Sequence, residues 1–181
     1  MTKRPRIEKA IIIAVLAVAS LSGLLSPQTA QAAIAKSAPQ QIVGQVVHVS
    51  DGDTLTLKAR WSKPIKVRIQ GIDAPESCQD YGAQATNALK RRVLNQRVTV
   101  LTHGGDNYGR TVGVIQLDGQ DIGAWMVQEG HAWSYHATQN MGPYAQQELI
   151  ARAAKRGLWG TWSRPVEPKV FRKRTKCHYG R

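Results

Sequence analysis

Acidic residues are scarce in this 181-residue chain, which has 12 Asp or Glu against 25 Lys or Arg and a formal net charge of +13. Such a balance excludes an acidic solvating protein and favours a polyanionic partner. Cysteine occurs only twice, which excludes a disulfide-dense miniprotein, and the five histidines lack the clustered spacing of a zinc site. Repeats and low-complexity runs are also absent. With an apolar fraction of 42%, the chain is predicted to form one globular domain.

The first 32 residues have the order of a secretory signal peptide. A basic head precedes an apolar run at 10–25, Ser26 and Pro27 end that run, and Ala30-Gln31-Ala32 offers a cleavage site. The run is short of the roughly 20 residues that cross a bilayer, but a retained membrane anchor stays an alternative. In both cases the basic head faces the cytoplasm. We therefore expect an exported protein, periplasmic or secreted, without stable membrane association after signal removal.

Composition divides the remaining chain into three parts. Residues 33–41, rich in Ala, Ser, Pro and Gln, are predicted to be a linker, and 42–162 form the folded domain. Residues 163–181 form a tail with seven Lys or Arg against Glu167 alone. We expect no regular helix there, because Pro165 and Pro168 interrupt it. The tail either binds a polyanion or is a solvated end.

The cysteines Cys78 and Cys177 would lie in an oxidising compartment if the chain is exported. Two cysteines with none left over suggest one disulfide, which would close a loop of about 100 residues. Two unrelated thiols are the alternative, because sequence alone does not show that the Cα atoms approach closely enough.

Five segments have the β-rich or alternating composition of strands, at 43–49, 54–57, 65–71, 97–102 and 111–117. Three others have an apolar face with helical spacing or a helix-ending glycine, at 83–94, 122–128 and 144–156. Short turns such as Asp51-Gly52-Asp53 join the first strands into a meander. We predict an α+β protein, a five-stranded OB-fold β-barrel with three helices.

Five of the few acids are concentrated near the first turn and after the third strand: Asp51, Asp53, Asp73, Glu76 and Asp80. The meander brings these two places together, and gathered carboxylates repel one another unless positive charge holds them. A hard cation with oxygen ligands is one such charge. Pro75 keeps Asp73 and Glu76 apart, which suits one carboxylate for metal and the other for water. On composition alone, an ordinary hairpin turn is the better explanation of Asp51-Gly52-Asp53.

Two arginines favour the chemical interpretation. Arg68 lies on the third strand, five residues before Asp73, and Arg110 follows the turn at 106–109. Planar guanidinium groups bind phosphate oxygens in pairs. If both converge on the carboxylates, they suit a transition state in which phosphate gains negative charge.

Three sequence blocks now show a resemblance: GQVVHVSDGDTLTL, VRIQGIDAPE and DNYGRTVG. Together, and in this order, they resemble the staphylococcal nuclease (thermonuclease) family from about Gly44 to Trp159. The resemblance implies a Ca²⁺-dependent phosphodiesterase on the OB-fold. Such an enzyme cleaves single-stranded or locally opened DNA and RNA with little sequence preference and leaves 3′-phosphates. We expect a monomer.

The resemblance also implies roles for individual residues. Asp53, Asp73 and the backbone carbonyl of Ala74 match the calcium ligands, with Asp51 behind them. Glu76 matches the acid proposed as general base, and Arg68 and Arg110 match the phosphate-binding arginines. Tyr108 matches a tyrosine that packs on the nucleotide, and the second such role falls on Tyr135 or its neighbour His136. Asn107 replaces a nucleotide-contacting lysine, and the loop at 77–81 is shorter than in the namesake enzyme.

A second function class is a non-catalytic nucleic-acid-binding OB module. OB-folds commonly bind oligonucleotides, and a basic body binds phosphate nonspecifically. Against it stand Asp53, Asp73 and Glu76, because carboxylates that face a polyanion weaken binding. The site, rather than the fold, therefore favours the enzyme.

Overall fold

The structure is a computed structural model that describes residues 38–135, 142–160 and 164–177. The predicted signal peptide, most of the predicted linker and His136 lie outside the described residues. None of the helices in the described part of the chain has the length and apolar composition needed to cross a bilayer.

Five strands form a closed barrel, as the sequence predicted. They are β1 (Gln40–Val49), β2 (Thr54–Ala59), β3 (Ile65–Ile69), β5 (Arg97–Gly105) and β6 (Thr111–Leu117). The order is β3-β2-β1-β5-β6, and the parallel pairing of β3 with β6 closes the ring. Neighbouring strands otherwise run antiparallel. Strand β1 begins two residues before the predicted domain boundary at 42, within the segment predicted as linker.

Short strands attach to this barrel. β4 (Ile72–Asp73) pairs with β8 (Trp133–Ser134), and β7 (Gln120–Asp121) pairs with the end of β6. The β4–β8 pairing, with a hydrogen bond of 2.8 Å from the Tyr135 N–H to the Gly71 carbonyl, brings Tyr135 beside the segment that carries Asp73.

The helices are α1 (Gly82–Val93), α2 (Ile122–Gln128), α3 (Ala145–Ala153) and α4 (Pro168–Arg174), and a 3₁₀ turn spans Gly157–Gly160. The first three match the predicted helices within a few residues. Helix α4 contradicts our expectation for the tail. Pro168 occupies its first turn, where a missing N–H costs nothing because that group has no partner within a helix.

The core fills the barrel and the space beneath two helices. Alternating strand residues such as Val67 and Ile69 point inward and are almost fully buried, whereas Lys66 and Arg68 are not. Leu89 and Val93 of α1 and Met126 of α2 complete the apolar cluster. Because β3 alternates in this way, Arg68 is turned away from the core and toward a surface cleft.

Candidate active site

Two buried carboxylates, Asp53 and Asp73, meet beside the turn between β1 and β2; we call them the carboxylate pair. The Nη2 atom of Arg68 lies 3.1 Å from Asp53 Oδ2 and 3.3 Å from Asp73 Oδ1. Arg68 can reach both because it is paired with Thr54, the residue after Asp53, in the β2–β3 ladder. One guanidinium therefore bridges the two acids that the sequence assigned to a cation.

Asp53 is fixed in orientation by hydrogen bonds. Its Oδ2 accepts from the Ala74 N–H at 2.9 Å, and its Oδ1 accepts from the Thr54 hydroxyl at 3.0 Å. Its own N–H donates to Asp51 Oδ1 at 3.0 Å. Asp51 thus supports Asp53 from behind, and Ala74 lies against it through its backbone. The assignment of the Ala74 carbonyl as a ligand stays a prediction.

Desolvation is the main electrostatic effect on Asp53. Burial raises the pKa of Asp53 to about 6, although Arg68 lowers it, and the nearby Asp51 raises it further. A carboxylate that is desolvated to this extent favours an additional positive partner.

Glu76 borders the same cleft and keeps its side chain partly exposed. It follows Pro75 in the loop before α1, and its N–H donates to Gln79 Oε1 at 3.2 Å. Asp80, which the sequence grouped with these acids, is exposed and lines a different cavity.

Most of the predicted site residues line one cleft of about 800 Å³. They comprise acids, phosphate-binding candidates and aromatic side chains: Asp51, Asp53, Arg68, Ala74, Glu76, Tyr108, Arg110 and Tyr135. Asp73 does not line the cleft itself. It is buried beside the cleft and contacts Arg68, which does line it. The cleft is mixed in polarity, and it combines cationic and anionic groups, as a phosphodiester in contact with a cation would require.

Arg110 lines this cleft but has a partner of its own. Its Nε and Nη2 atoms each lie 2.8 Å from Asp106 Oδ2, and its guanidinium lies 5.4 Å from the ring centroid of Tyr108. The Asp106 carboxylate also accepts the backbone N–H groups of Tyr108 and Arg110, both at 3.0 Å. Among the described residues, the ion pair of Arg110 is with Asp106 and not with the carboxylate pair. Both predicted arginines therefore line one cleft, but of the two only Arg68 contacts the carboxylate pair directly, and their phosphate-binding roles stay predictions.

The Tyr108 ring is largely exposed at the tip of the β5–β6 turn, and Tyr135 is about half as exposed. Exposed aromatic faces beside phosphate-binding groups suit packing against a nucleotide.

A third arginine, absent from the sequence predictions, occupies the site. Arg172 of α4 places Nη1 3.0 Å from Asp73 Oδ1 and Nη2 2.9 Å from Asp73 Oδ2. Its Nη1 also lies 2.8 Å from Glu76 Oε1. Hydrogen bonds to Asp73 and then to Glu76 hold the pKa of the guanidinium above its ordinary value. Arg172 is thus a permanent cation between the predicted metal ligand and the predicted base.

The structure pairs Cys78 with Cys177 in a disulfide, with Cα atoms 5.6 Å apart. Cys78 lies two residues after Glu76, and Cys177 lies five residues after Arg172. The bridge therefore fixes the tail next to the loop that carries Glu76.

A family model described as "Staphylococcal nuclease homologue" matches residues 66–161 of this chain. The chain belongs to the staphylococcal nuclease family. An "Uncharacterized endonuclease" of Haemophilus influenzae is 38% identical over 134 residues, which cover 74% of this chain and 75% of that protein. Another of Escherichia coli is 40% identical over 136 residues, covering 74% and 86%. A "Micrococcal nuclease" of Shigella flexneri is 37% identical over 144 residues, covering 74% and 82%.

Membership of the staphylococcal nuclease family confirms the resemblance and the predicted enzyme class, a hydrolase of phosphodiester bonds. Nucleases of this family are generally metal-dependent, and the donor set fits a hard divalent cation. The two buried carboxylates already attract two guanidinium groups, which shows where positive charge is favoured. Among the described residues, no three His, Cys, Asp or Glu side chains surround a common point. Water and substrate oxygens would therefore complete the coordination.

For this staphylococcal nuclease homologue, sequence reasoning missed Arg172 and Gln79. Gln79 is buried and joins the Glu76 backbone to the tail, because its Nε2 donates to the Val166 carbonyl at 2.6 Å. One signal could have revealed both residues. A bridge between Cys78 and Cys177 necessarily places the tail beside Glu76.

Proposed function

We propose that the protein is an exported endonuclease that uses Ca²⁺ to hydrolyse DNA and RNA, with little sequence preference and with 3′-phosphate products. One observation carries this proposal. The carboxylate pair, joined by Arg68 and bordered by Glu76, lies at a cleft that also holds Arg110. Acids concentrated in a strongly basic protein oppose polyanion binding and therefore favour chemistry over binding alone.

Each group in the cleft has its own part in the proposed reaction. Asp53, Asp73 and the Ala74 carbonyl would hold the cation, which when bound neutralises phosphate charge and orients water. Glu76 accepts a proton from the attacking water. The P–O bond to that water forms as the P–O5′ bond breaks, and the departing 5′ oxygen takes up a proton from solvent. Arg68 and Arg110 bind the phosphate oxygens, on which negative charge grows.

Tyr108 and Tyr135 supply the proposed contacts to the nucleotide. Every base has an aromatic face, so stacking on a tyrosine does not depend on the nucleotide sequence. Stacking also requires an unpaired base, and therefore a single-stranded or locally opened substrate. We also propose that the protein acts as a monomer, because acids, arginines and tyrosines for the whole proposed reaction line one cleft of the barrel.

The test is incubation of purified protein with single-stranded DNA or RNA in calcium, in magnesium and in chelator. We expect cutting in calcium, its loss in chelator, and fragments that carry 3′-phosphates. Cutting that persists in chelator would overturn the metal requirement, and equal or faster cutting in magnesium would overturn the assignment to calcium.

A second candidate function is a binding-only OB module, and one observation favours it. Arg172 pairs with both Asp73 and Glu76, which leaves two of the three acids neutralised. Tight binding of DNA without cutting under any cation would support this alternative.

Export is a separate part of the proposal and rests on the sequence of residues 1–32. The N-terminal sequence of protein recovered from the periplasm or medium tests it. A mature chain that begins at Ala33 supports a cleaved signal peptide. An intact N-terminus in the membrane fraction would instead support an anchor.

A further inference from the structure

Residues 164–177, which we call the C-terminal strap, lie across the carboxylates of the cleft. The contact centres on Arg172, which engages both oxygens of Asp73 and one oxygen of Glu76 within 3.0 Å. Asp73 is deeply buried, whereas the Arg172 side chain stays 43% exposed. Because the Arg172 side of this ion pair is partly exposed, solvent and salt screen it, and dissolved cations can compete with it.

Two further attachments hold the strap in place on either side of Arg172. The Cys78–Cys177 disulfide follows it, and the hydrogen bond from Gln79 to the Val166 carbonyl precedes it. Between them, Phe171 lines a cavity of about 420 Å³ together with Trp133 and Leu158. Cys78 and Gln79, which make these two attachments from the barrel domain, are the second and third residues after Glu76. The strap is therefore anchored at the loop whose carboxylate it covers.

A guanidinium and a metal cation compete for carboxylate oxygens, because both are positively charged and approach the same atoms of Asp73. Both oxygens of Asp73 accept hydrogen bonds from Arg172, and one oxygen of Glu76 contacts the same guanidinium. A metal cation bound to Asp73 would therefore lie against a positively charged group and be repelled by it. The guanidinium also occupies Oε1 of Glu76 at 2.8 Å, the place that an attacking water would need to approach this oxygen. Arg172 in this position is an internal competitor of the cation at Asp73 and of water at Glu76.

The disulfide sets the strength of that competition. A tethered group acts at an effective concentration that can reach the millimolar range, which falls when the tether is longer or lost. Only four residues separate Arg172 from Cys177. Opening the bridge leaves the strap attached only through residues 161–163 and its noncovalent contacts.

We propose that the C-terminal strap is autoinhibitory: Arg172 competes with the catalytic cation for Asp73 and blocks Glu76, and the Cys78–Cys177 bridge maintains this competition. The inference rests on the proposed function for its effect on turnover, but the effect on cation binding is separate from it. The opposite role is a third phosphate-binding arginine, and that role predicts loss of activity when Arg172 is removed.

The test compares full-length, oxidised proteins: wild type, Arg172→Gln and, as matched control, Lys173→Gln. Lys173 lies on the same helix and is exposed, so its replacement removes the same charge beside the site. Both variants retain the disulfide, and melting temperatures establish that they are folded. Non-reducing mass spectrometry establishes the Cys78–Cys177 peptide pair in each protein.

The first readout is calcium affinity by calorimetry, without nucleic acid. We expect Arg172→Gln to bind Ca²⁺ about tenfold more tightly than wild type, a typical effect of losing a charged hydrogen-bonded competitor, and Lys173→Gln to match wild type. Unchanged or weaker calcium binding in Arg172→Gln would overturn the proposal.

The second readout is cleavage of single-stranded DNA at low and at saturating calcium. Arg172→Gln should cut faster than wild type at low calcium, and the difference should shrink at saturation. Slower cutting at every calcium concentration would make Arg172 a phosphate-binding residue. If none of the proteins cuts DNA, the proposed function fails and the calcium titration alone decides the role of the strap.

The role of the bridge is tested by dithiothreitol, which reduces the disulfide as it forms its own cyclic disulfide. Reduction should tighten calcium binding in wild type but have little effect in Arg172→Gln, because the competitor is already absent. The double variant Cys78→Ser/Cys177→Ser gives the same comparison without reductant. Equal effects with and without Arg172 would show that the bridge acts independently of it, and would overturn this part of the proposal.

Discussion

A Cβ atom on Gly82 would lie 1.9 Å from the carbonyl oxygen of Glu76. Gly82 begins helix α1, and its N–H donates to the Gln79 carbonyl at 2.8 Å. The proposed catalytic acid is therefore held by a loop that packs against a bare glycine backbone. This close approach makes Gly82 a positioning residue for Glu76, although it carries no side chain.

Gly82→Ala should destabilise the protein and displace Glu76. A clash with backbone cannot be relieved by a rotamer change, so we expect a loss of about 1–3 kcal/mol in the free energy of unfolding. Cleavage should fall together with stability. Urea denaturation and steady-state kinetics measure the two effects. As a control, Ala83→Gly alters helix propensity one residue later, with a cost of up to about 1 kcal/mol, and should leave turnover near wild type.

Glu76→Gln should separate binding from chemistry. The amide keeps the shape of the side chain but cannot accept a proton from water, so cleavage should fall by about 10²–10⁴-fold. Binding of single-stranded DNA should be preserved or slightly tighter, because one negative charge is removed from the cleft. Rapid-quench cleavage and fluorescence anisotropy provide the two measurements.

Asp80→Asn is the matched control for this change. It removes an acid four residues along the same loop, but Asp80 is exposed and lies outside the cleft. Its activity should match wild type. A wild-type rate in Glu76→Gln would remove Glu76 from the mechanism.

Arg110→Lys should fail to replace arginine despite its equal charge. Arg110 uses Nε and Nη2 for Asp106 and presents the rest of its guanidinium to the cleft. A single ammonium cannot serve both partners with this geometry. We expect kcat/KM to fall by about 10²-fold or more, as on loss of an electrostatic donor to the transition state. Arg152→Lys, on the partly exposed pair with Glu148, should leave kcat/KM unchanged.

The barrel was predictable because its strands alternate in a simple way. Ile65, Val67 and Ile69 face the interior on β3, and this same alternation turned Arg68 toward the cleft. The two-residue strands β4, β7 and β8 are too short to produce a periodic signal. The parallel pairing of β3 with β6 joins segments far apart in the sequence, so no local pattern predicts it. The carboxylate pair was accessible from sequence because one meander connects its members.

Only part of the C-terminal strap was predictable: a Cys78–Cys177 bridge ties the tail to the loop after Glu76, but helix α4 and the contacts of Arg172 do not follow from it. Pro168 predicts the absence of regular helix in the tail, which is wrong because proline at the first turn of α4 is compatible with helix. The contact of Arg172 with Asp73 joins residues 99 positions apart, and no local pattern encodes such a contact. The ion pair of Arg110 with Asp106 was likewise not predicted, because the sequence does not show which acid a turn arginine contacts.

Calcium should stabilise the folded protein, and Asp53 should be required for this effect. A ligand that binds only the native state at ten times its Kd adds about 1.4 kcal/mol, which corresponds to a rise of about 3–5 °C in melting temperature. Chelator should abolish the rise. Asp53→Asn should abolish it in calcium as well, because the amide is neutral and the buried pair then loses half its charge.

The control for Asp53→Asn is Asp118→Asn. Asp118 is exposed in the turn between β6 and β7, with a φ of 51°, a backbone conformation that asparagine adopts readily. This variant should keep the full calcium-dependent rise in melting temperature. If Asp53→Asn keeps it too, the cation binds elsewhere and the carboxylate pair is a structural partner of Arg68. If only Asp118→Asn keeps the rise in melting temperature, Asp53 belongs to the cation site. Burial, which raises the pKa of Asp53, is then unfavourable for the free carboxylate and is offset when the cation binds.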